Sequence, residues 1–154
     1  MSDQQAMDMM SNLSGGMLIF VLVFVLAIIA IYCLFLYSLQ KALNNAGPEN
    51  AGMSGGLVWL NLIPIFNIGW MIYTVIKVSE AIAKKHAAHG VADPSNGGKT
   101  IGLVYAIANA CQIIPVVNMI SWLVAIITWI IYWVKISGYN TTMPQLQASP
   151  GGAV

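Results

Sequence analysis

The side chains that could do chemistry are few, and most of them lie between residues 80 and 93. Four of them are of types that bind metal ions: Glu80, His86, His89 and Asp93. The two histidines are three residues apart, but no cysteine or carboxylate motif with metal-ligand spacing accompanies them. We therefore predict no metal site and no bound cofactor.

Nucleophilic catalysis has no candidate in this sequence either. Cys33 and Cys111 lie in separate apolar runs, and both histidines lie in one polar stretch with no activated nucleophile beside them. Paired carboxylates are absent from the apolar segments, and no glycine-rich phosphate loop follows a strand. We expect a protein without catalytic residues, not an enzyme.

The composition assigns the chain to a membrane. Of its 154 residues, 58% are hydrophobic and 7% are charged, whereas a soluble domain carries about 25% charged residues. The mean hydropathy is +0.78. A soluble domain and a disordered chain are therefore excluded. The six basic residues are all lysines and the net charge is +1, so the strongly basic surface that binds nucleic acid is missing as well.

Four apolar segments predict an all-α integral membrane protein. They are residues 17–39, 57–78, 100–114 and 119–137. The first segment reaches ~34 Å as a helix, enough to cross a hydrocarbon core of ~30 Å. Pro115 and Asn118 supply the turn that makes the last two segments a tight helical hairpin. Residues 17–139 are thus predicted to form one membrane domain between an N-terminal tail, 1–16, and a mobile C-terminal tail, 140–154.

The second segment leaves two topologies open because Pro64 interrupts it. Its length favours a spanning helix, and transmembrane helices tolerate proline; alternatively it is a re-entrant hairpin bent at Pro64. Lysine near a membrane end favours the cytoplasm. If the segment spans and the N-terminus is cytoplasmic, only Lys41 lies outside the cytoplasm. If the segment is re-entrant and the N-terminus is outside, all six lysines are cytoplasmic. Both topologies place the loop 79–99 and the C-terminus in the cytoplasm.

A weak internal repeat connects two of the prolines. Residues 63–67, Ile-Pro-Ile-Phe-Asn, resemble residues 114–118, Ile-Pro-Val-Val-Asn, and a tryptophan follows each stretch. If the two stretches arose by duplication, they predict two related helical hairpins with Pro-x-x-Asn at their tips.

The third segment carries a pattern typical of helix packing. Small residues recur every four positions and form one stripe: Gly102, Ala106 and Ala110. Such a stripe lets membrane helices approach closely. A neighbouring polar stripe needs hydrogen-bond partners and should face protein; it consists of Tyr105, Asn109 and Gln112. The other polar residues at membrane depth and the two helix breaks are Asn61, Asn67 and Asn118, and Pro64 and Pro115.

The predicted interface anchors are two lysines near the ends of apolar segments and the aromatic residues close to them: Lys77, Lys135, Tyr73, Tyr132, Trp129 and Trp133. A lysine at the centre of a bilayer costs roughly 2.5–3.5 kcal/mol, so each ammonium group is expected to extend to the headgroups. The aromatic rings would then form a belt at the same depth.

Two regions of the sequence resemble a known family. They are residues 48–50 (Pro-Glu-Asn) with 56–67 (Gly-Leu-Val-Trp-Leu-Asn-Leu-Ile-Pro-Ile-Phe-Asn) and Trp70, and residues 131–139 (Ile-Tyr-Trp-Val-Lys-Ile-Ser-Gly-Tyr). Together they are similar to a family of small multi-pass bacterial inner-membrane proteins without an established activity. Members often have an arginine after the asparagine that matches Asn50, where this chain has Ala51. The resemblance implies a location in the bacterial envelope and carries over no catalytic residue.

The sequence favours packing over chemistry as the function. The small-residue and amide stripes, the aromatic residues and the lack of a catalytic group predict a structural or accessory subunit surrounded by the lipid bilayer. It would pack as a homo-oligomer or against a larger membrane protein complex. The alternative is a channel or transporter for ions or small solutes, because prolines and amides at membrane depth can line a cavity.

Overall fold

A computed structural model describes residues 3–93 and 95–148, and the regular elements in this part of the chain are all helical. The α-helices are α1, Asp3–Ala46; α2, Pro48–Ala51; α3, Pro64–Ala88; α4, Lys99–Cys111; and α5, Asn118–Ala148. Two 3-10 helices, Gly55–Leu62 and Asn96–Gly98, precede α3 and α4. The predicted all-α class is confirmed.

Three helices are long and apolar enough to cross a membrane. They are Ser14–Ala46 within α1, Pro64–Ala88, and Asn118–Leu146 within α5. The prediction of four membrane segments is not confirmed, because α4 has 13 residues and reaches only ~20 Å. Left-handed backbone at Gly97 and Gly98 immediately precedes its start, and the turn that contains Pro115 ends it at Cys111, three residues before the end of the predicted segment.

Two compact units make up the chain, residues 1–35 and residues 36–154. The described part of the first unit is a stretch of α1, whose residues from Met17 to Ile31 are exposed on all sides. Its spanning window has a mean hydropathy of 3.3. A helix that is apolar all round suits lipid or neighbouring membrane helices, not water.

In the second unit, the end of α1 runs parallel to α3 and α5. The Trp133 indole donates a hydrogen bond to the Ser38 hydroxyl at 2.9 Å, and the Asn45 amide donates to the Asn140 side chain at 3.2 Å. The rings of His86 and Tyr139 meet edge to face, 5.4 Å apart. These contacts bring the C-terminal ends of the three long helices to one end of the unit.

The predicted second segment, residues 57–78, doubles back instead of forming one helix. It begins as the 3-10 helix and turns at Ile63, and Pro64 then starts α3. Proline suits the first turn of a helix because no intrahelical bond is lost there, so Pro64 starts this helix and does not kink it. The Trp70 indole donates to the Leu57 carbonyl at 2.8 Å.

The two ends of this segment therefore lie together. A Cβ built on Gly52, just before the segment, would lie 3.6 Å from Cδ of Lys77 near its other end. In one straight helix, Leu57 and Lys77 would be ~30 Å apart. We call residues 55–77, the 3-10 helix and the first half of α3, the first hairpin.

The second hairpin, residues 99–135, is formed by α4 and α5 as the sequence predicts. Gly98 lies beside Lys135, and Gly102 lies beside Tyr132. Residues 112–117, which include Pro115, form the turn between the two helices. Both hairpins thus have Pro-x-x-Asn near the tip, a short arm before it and a long helix after it.

Helix also covers much of both predicted tails. α1 begins at Asp3, within the predicted tail 1–16, and α5 continues to Ala148, within the predicted tail 140–154. Asn140 and Met143 are buried in the second unit, and this packing extends the helix beyond the apolar segment. Residues 149–154 lie outside the described residues.

The tightest packing in the second unit is at Gly102 of α4. A Cβ at this position would lie 2.6 Å from a Val75 methyl group on α3 and 2.7 Å from the Tyr132 ring on α5. The absence of a side chain at Gly102 therefore lets three helices meet, which is the close approach that the sequence predicts for the small-residue stripe.

We predict that Gly102→Ala lowers the free energy of unfolding by about 1–3 kcal/mol, because an added methyl group overpacks the contact. Gly138→Ala is the matched control, since a Cβ there meets no atom within 4 Å and alanine favours helix by up to ~1 kcal/mol. Thermal unfolding in mild detergent measures both changes. Equal transition temperatures for the two variants would contradict this packing.

Candidate functional site

The small-residue stripe packs inside the chain. Gly102 is buried against Val75 of α3 and Tyr132 of α5. Ala106 is fully buried, while Ala110, nearer the tip, is half-buried. Gly102 and Ala106 are therefore part of the packing within the second unit.

The neighbouring polar stripe is covered only at one end. Tyr105 is buried, and its ring stacks on that of Tyr132 with centroids 6.5 Å apart. Asn109 and Gln112 are half-buried. Protein therefore covers the polar stripe less completely toward the tip of the hairpin.

The three other predicted polar residues have different surroundings. Asn61 is buried, and its amide donates to the Val58 carbonyl at 2.8 Å and to the Thr74 hydroxyl at 3.1 Å. Asn67 is half-buried and Asn118 is exposed at the start of α5. The side-chain carbonyl oxygens of Asn61 and Asn67 accept no hydrogen bond from the described residues.

The predicted interface anchors separate into two groups. Tyr132 is fully buried, so its predicted place in an aromatic belt at the interface is wrong. Its ring packs against Gly102, which has no side chain to exclude it from the core. Trp133 is half-buried through its bond to Ser38, and Trp129 packs against it with ring centroids 5.3 Å apart. Tyr73 is exposed, and the Lys77 ammonium lies 5.7 Å from its ring centroid.

The residues considered for metal binding are engaged elsewhere. Nδ1 of His86 lies 2.9 Å from the Ile82 carbonyl, and Nδ1 of His89 lies 2.9 Å from the Lys85 carbonyl. Glu80 pairs with lysines at 3.5 and 3.7 Å. No group of three potential metal ligands comes together within residues 3–93 and 95–148.

Asp93 fastens the loop after α3 to α5. Its carboxylate accepts hydrogen bonds from the Ser95 backbone and hydroxyl at 3.1 Å, from the Gly97 amide, and from the Tyr139 hydroxyl at 2.7 Å. Partial burial by itself would raise the pKa of Asp93, but the bonds from Gly97, Tyr139 and Ser95 together outweigh it and hold the pKa below its ordinary value. We call this arrangement the Asp93 latch.

Ion pairs and close contacts gather lysines of four elements at one end of the second unit. Lys77 of α3 and Lys99 of α4 share the carboxylate of Glu80. Lys135 of α5 lies beside Gly98, and Gln40 and Asn44, which flank Lys41 on α1, lie beside Gly55.

We call this region the lysine end: Lys41, Lys77, Lys84, Lys85, Lys99 and Lys135. Lys84 and Lys85 lie further along α3, beyond Lys77. The second unit has six lysines and three carboxylates, a net charge of +3. The positive charge of the protein is therefore concentrated at one end of this unit.

The hairpin tips have the opposite character. The most exposed large hydrophobic side chains among the described residues are Val116 at 91%, Ile65 at 86% and Met119 at 85%. All three lie at the tips, far along their hairpins from the lysine end. A loop in water would carry polar residues here, so these tips suit an apolar surrounding.

The sequence pattern did not reveal the latch or the common position of the lysines. Asp93-x-Ser95 is a local turn signal that could have been recognised, because an aspartate often accepts a bond from the backbone two residues on. Its bond to Tyr139, 46 residues away, depends on tertiary packing and has no signal in the sequence.

No protein-family model matches this chain, and neither a curated protein nor a solved structure is similar to it. The residues and their geometry therefore carry the functional argument alone.

We predict that Asp93→Asn destabilises the protein at neutral pH by about 1–2 kcal/mol, because the latch loses hydrogen bonds to a charged acceptor. The folded-state pKa is the lower one, so the stabilisation is present above the unfolded pKa and is lost as the pH falls through the folded value. Unfolding of both proteins from pH 7 to pH 2 measures this. A difference that persists undiminished at pH 2 would contradict the charge-based account.

Proposed function

We propose that the protein is a non-enzymatic multi-pass protein of the bacterial inner membrane that serves as an accessory subunit, packing against itself or a larger membrane complex. The observation that carries this proposal is the first unit, where α1 exposes apolar side chains on every side from Met17 to Ile31. The carboxylates of Glu80 and Asp93 are instead engaged in structural contacts. A surface of this kind supports packing between membrane helices, not a reaction.

The proposed orientation places the lysine end in the cytoplasm. Lysines near membrane ends are retained on that side, and all six belong to the lysine end. The loop 79–99 and the C-terminus are then cytoplasmic too. Since α1 is long enough to cross the membrane, the N-terminus lies on the outer side, which corresponds to the re-entrant alternative.

In this orientation both hairpins enter the bilayer from the cytoplasmic side. The first reaches ~20 Å from Lys77 to Pro64, and the second reaches ~26 Å from Lys135 to Asn118. The first tip thus stops short of a hydrocarbon core of ~30 Å. Their exposed isoleucine, valine and methionine side chains are consistent with burial in lipid.

Reporter fusions before Met1 and after Val154 test this orientation. We expect the N-terminal reporter to be active only outside the cytoplasm and the C-terminal reporter only inside it. Two reporters active on the same side would contradict the proposed orientation, in which α1 crosses the membrane and both hairpins return to the cytoplasmic side.

Photo-crosslinking along α1 tests the accessory role. A crosslinking residue is placed in turn at Leu22, Val23, Phe24 and Val25, which together cover one helical turn. If α1 packs against a partner helix, protein adducts form at one or two of the four positions, and Val116 at a hairpin tip serves as the control. Adducts to lipid alone at all four positions would contradict a subunit role for α1.

A second function, conduction of ions or small solutes, is favoured by one observation. The side-chain oxygens of Asn61 and Asn67 are buried and accept no bond within the described chain, and such oxygens can line a polar path. Flux through liposomes that contain the purified protein tests this. Flux that Asn61→Leu abolishes would support conduction, and no flux above empty liposomes would exclude it.

A further inference from the structure

We propose that the lysine end binds anionic phospholipid headgroups through four lysines, Lys41, Lys77, Lys99 and Lys135. This inference rests on the proposed membrane insertion and adds a ligand class to it. Each of the four lysines borders a different apolar segment, within two residues of its end or just before its start. They therefore mark one level of the protein, where a bilayer has its phosphate groups.

The positive charge at this level is not neutralised within the chain. Lys77 and Lys99 share the single carboxylate of Glu80, so this group keeps a net charge of +1. Neither Lys41 nor Lys135 forms an ion pair with any residue that the structure describes. Charges in a partly apolar surrounding need counter-charges, and anionic headgroups at this depth supply them.

A cleft between Lys41 and Lys77 is large enough for a lipid headgroup. Its volume is about 530 Å³, and it lies between the end of α1 and the stretch formed by α2 and residues 52–55. Leu43, Pro48 and Met53 supply apolar walls, while Asn44 and Ser54 supply polar groups. This mixture suits the boundary between a phosphate group and its acyl chains.

Lysines flank this cleft on two sides. Lys41 precedes Asn44 by three residues and therefore neighbours it on the surface of α1, and Lys77 lies beside Gly52 on the other side. Glu49, on α2, is exposed and accepts a bond from the Asn50 amide at 3.0 Å. The chain has no arginine, so these ammonium groups act as point charges, which suit mobile headgroups better than a fixed planar ligand.

Electron paramagnetic resonance with spin-labelled lipids tests the proposal on the full chain. The protein is reconstituted into phosphatidylcholine vesicles with traces of spin-labelled phosphatidylglycerol or phosphatidylcholine, and the fraction of motionally restricted lipid is measured. One lysine near anionic lipid contributes about 1 kcal/mol of attraction, which is roughly a fivefold preference for the anionic lipid. We expect phosphatidylglycerol to be preferred by about that factor or more, and Lys41→Gln with Lys135→Gln to bring the preference close to one.

Two single variants distinguish binding by the four proposed lysines from a general effect of positive charge. Lys41 and Lys84 are both exposed, and each change to glutamine removes one charge. Lys84 lies seven residues beyond Lys77, ~10 Å further along α3, which is about one Debye length. We expect Lys41→Gln to lower the preference at least twofold and Lys84→Gln to leave it nearly unchanged. Equal losses would overturn the assignment to this level.

Three further outcomes are decisive. If inorganic phosphate binds to the protein and Lys41→Gln weakens that binding, while no preference for phosphatidylglycerol is seen, the ligand is free phosphate and the lipid proposal fails. Restricted lipid without a preference for phosphatidylglycerol overturns the headgroup inference alone. No restricted lipid of either kind overturns membrane insertion itself, and with it the proposed function.

Discussion

The cost of placing charge in hydrocarbon is the constraint on which the rest of this structure depends. A lysine at the bilayer centre costs roughly 2.5–3.5 kcal/mol on the insertion scale, and this chain has six lysines distributed over segments that alternate with apolar runs. The second unit meets the constraint by turning twice, at Pro64 and near Pro115. Each turn returns the chain to the end from which it came, and all six lysines therefore lie at one end.

Close backbone packing holds the two hairpins in this arrangement. Gly97, with φ +65°, lies so near the Ser79 backbone that a Cβ would overlap it. Gly102 similarly admits the Tyr132 ring and the Val75 side chain. Both glycines are close to the lysine end, so the two hairpins pack closely against each other there. Their tips are exposed and apolar. Close packing at the lysine end and exposed apolar tips at the other end suit the proposed insertion of both hairpins into a membrane.

Much of this organisation could be predicted from residue types and spacing. Apolar run length predicts α1, the small-residue stripe predicts the contact at Gly102, and the repeated Pro-x-x-Asn predicts two hairpins. The structural role of Pro64 is open in the sequence, because a proline can bend a helix or begin one. The contacts of Gly52 with Lys77 and of Trp70 with Leu57 show that the chain turns before Pro64 and that Pro64 begins α3.

Other features depend on tertiary packing and could not be read locally. The nearness of Tyr132 to Lys135 in the sequence predicts a place at the membrane interface, but its ring is buried against Gly102 in the core of the second unit. The third apolar segment predicts a spanning helix, but α4 ends at Cys111, because apolar composition does not show where the turn that contains Pro115 begins. The bond between Asp93 and Tyr139 joins residues that are far apart in sequence.

Sided cysteine labelling tests the central claim, that the chain enters and leaves the first hairpin on the same side of the membrane. Ser54→Cys and Lys84→Cys place exposed thiols before and after the hairpin, in a protein whose Cys33 and Cys111 are replaced by alanine. An impermeant maleimide is added to sealed vesicles of one orientation. The doubled-back hairpin predicts that both cysteines react from the same side. Labelling of the two cysteines from opposite sides would contradict it.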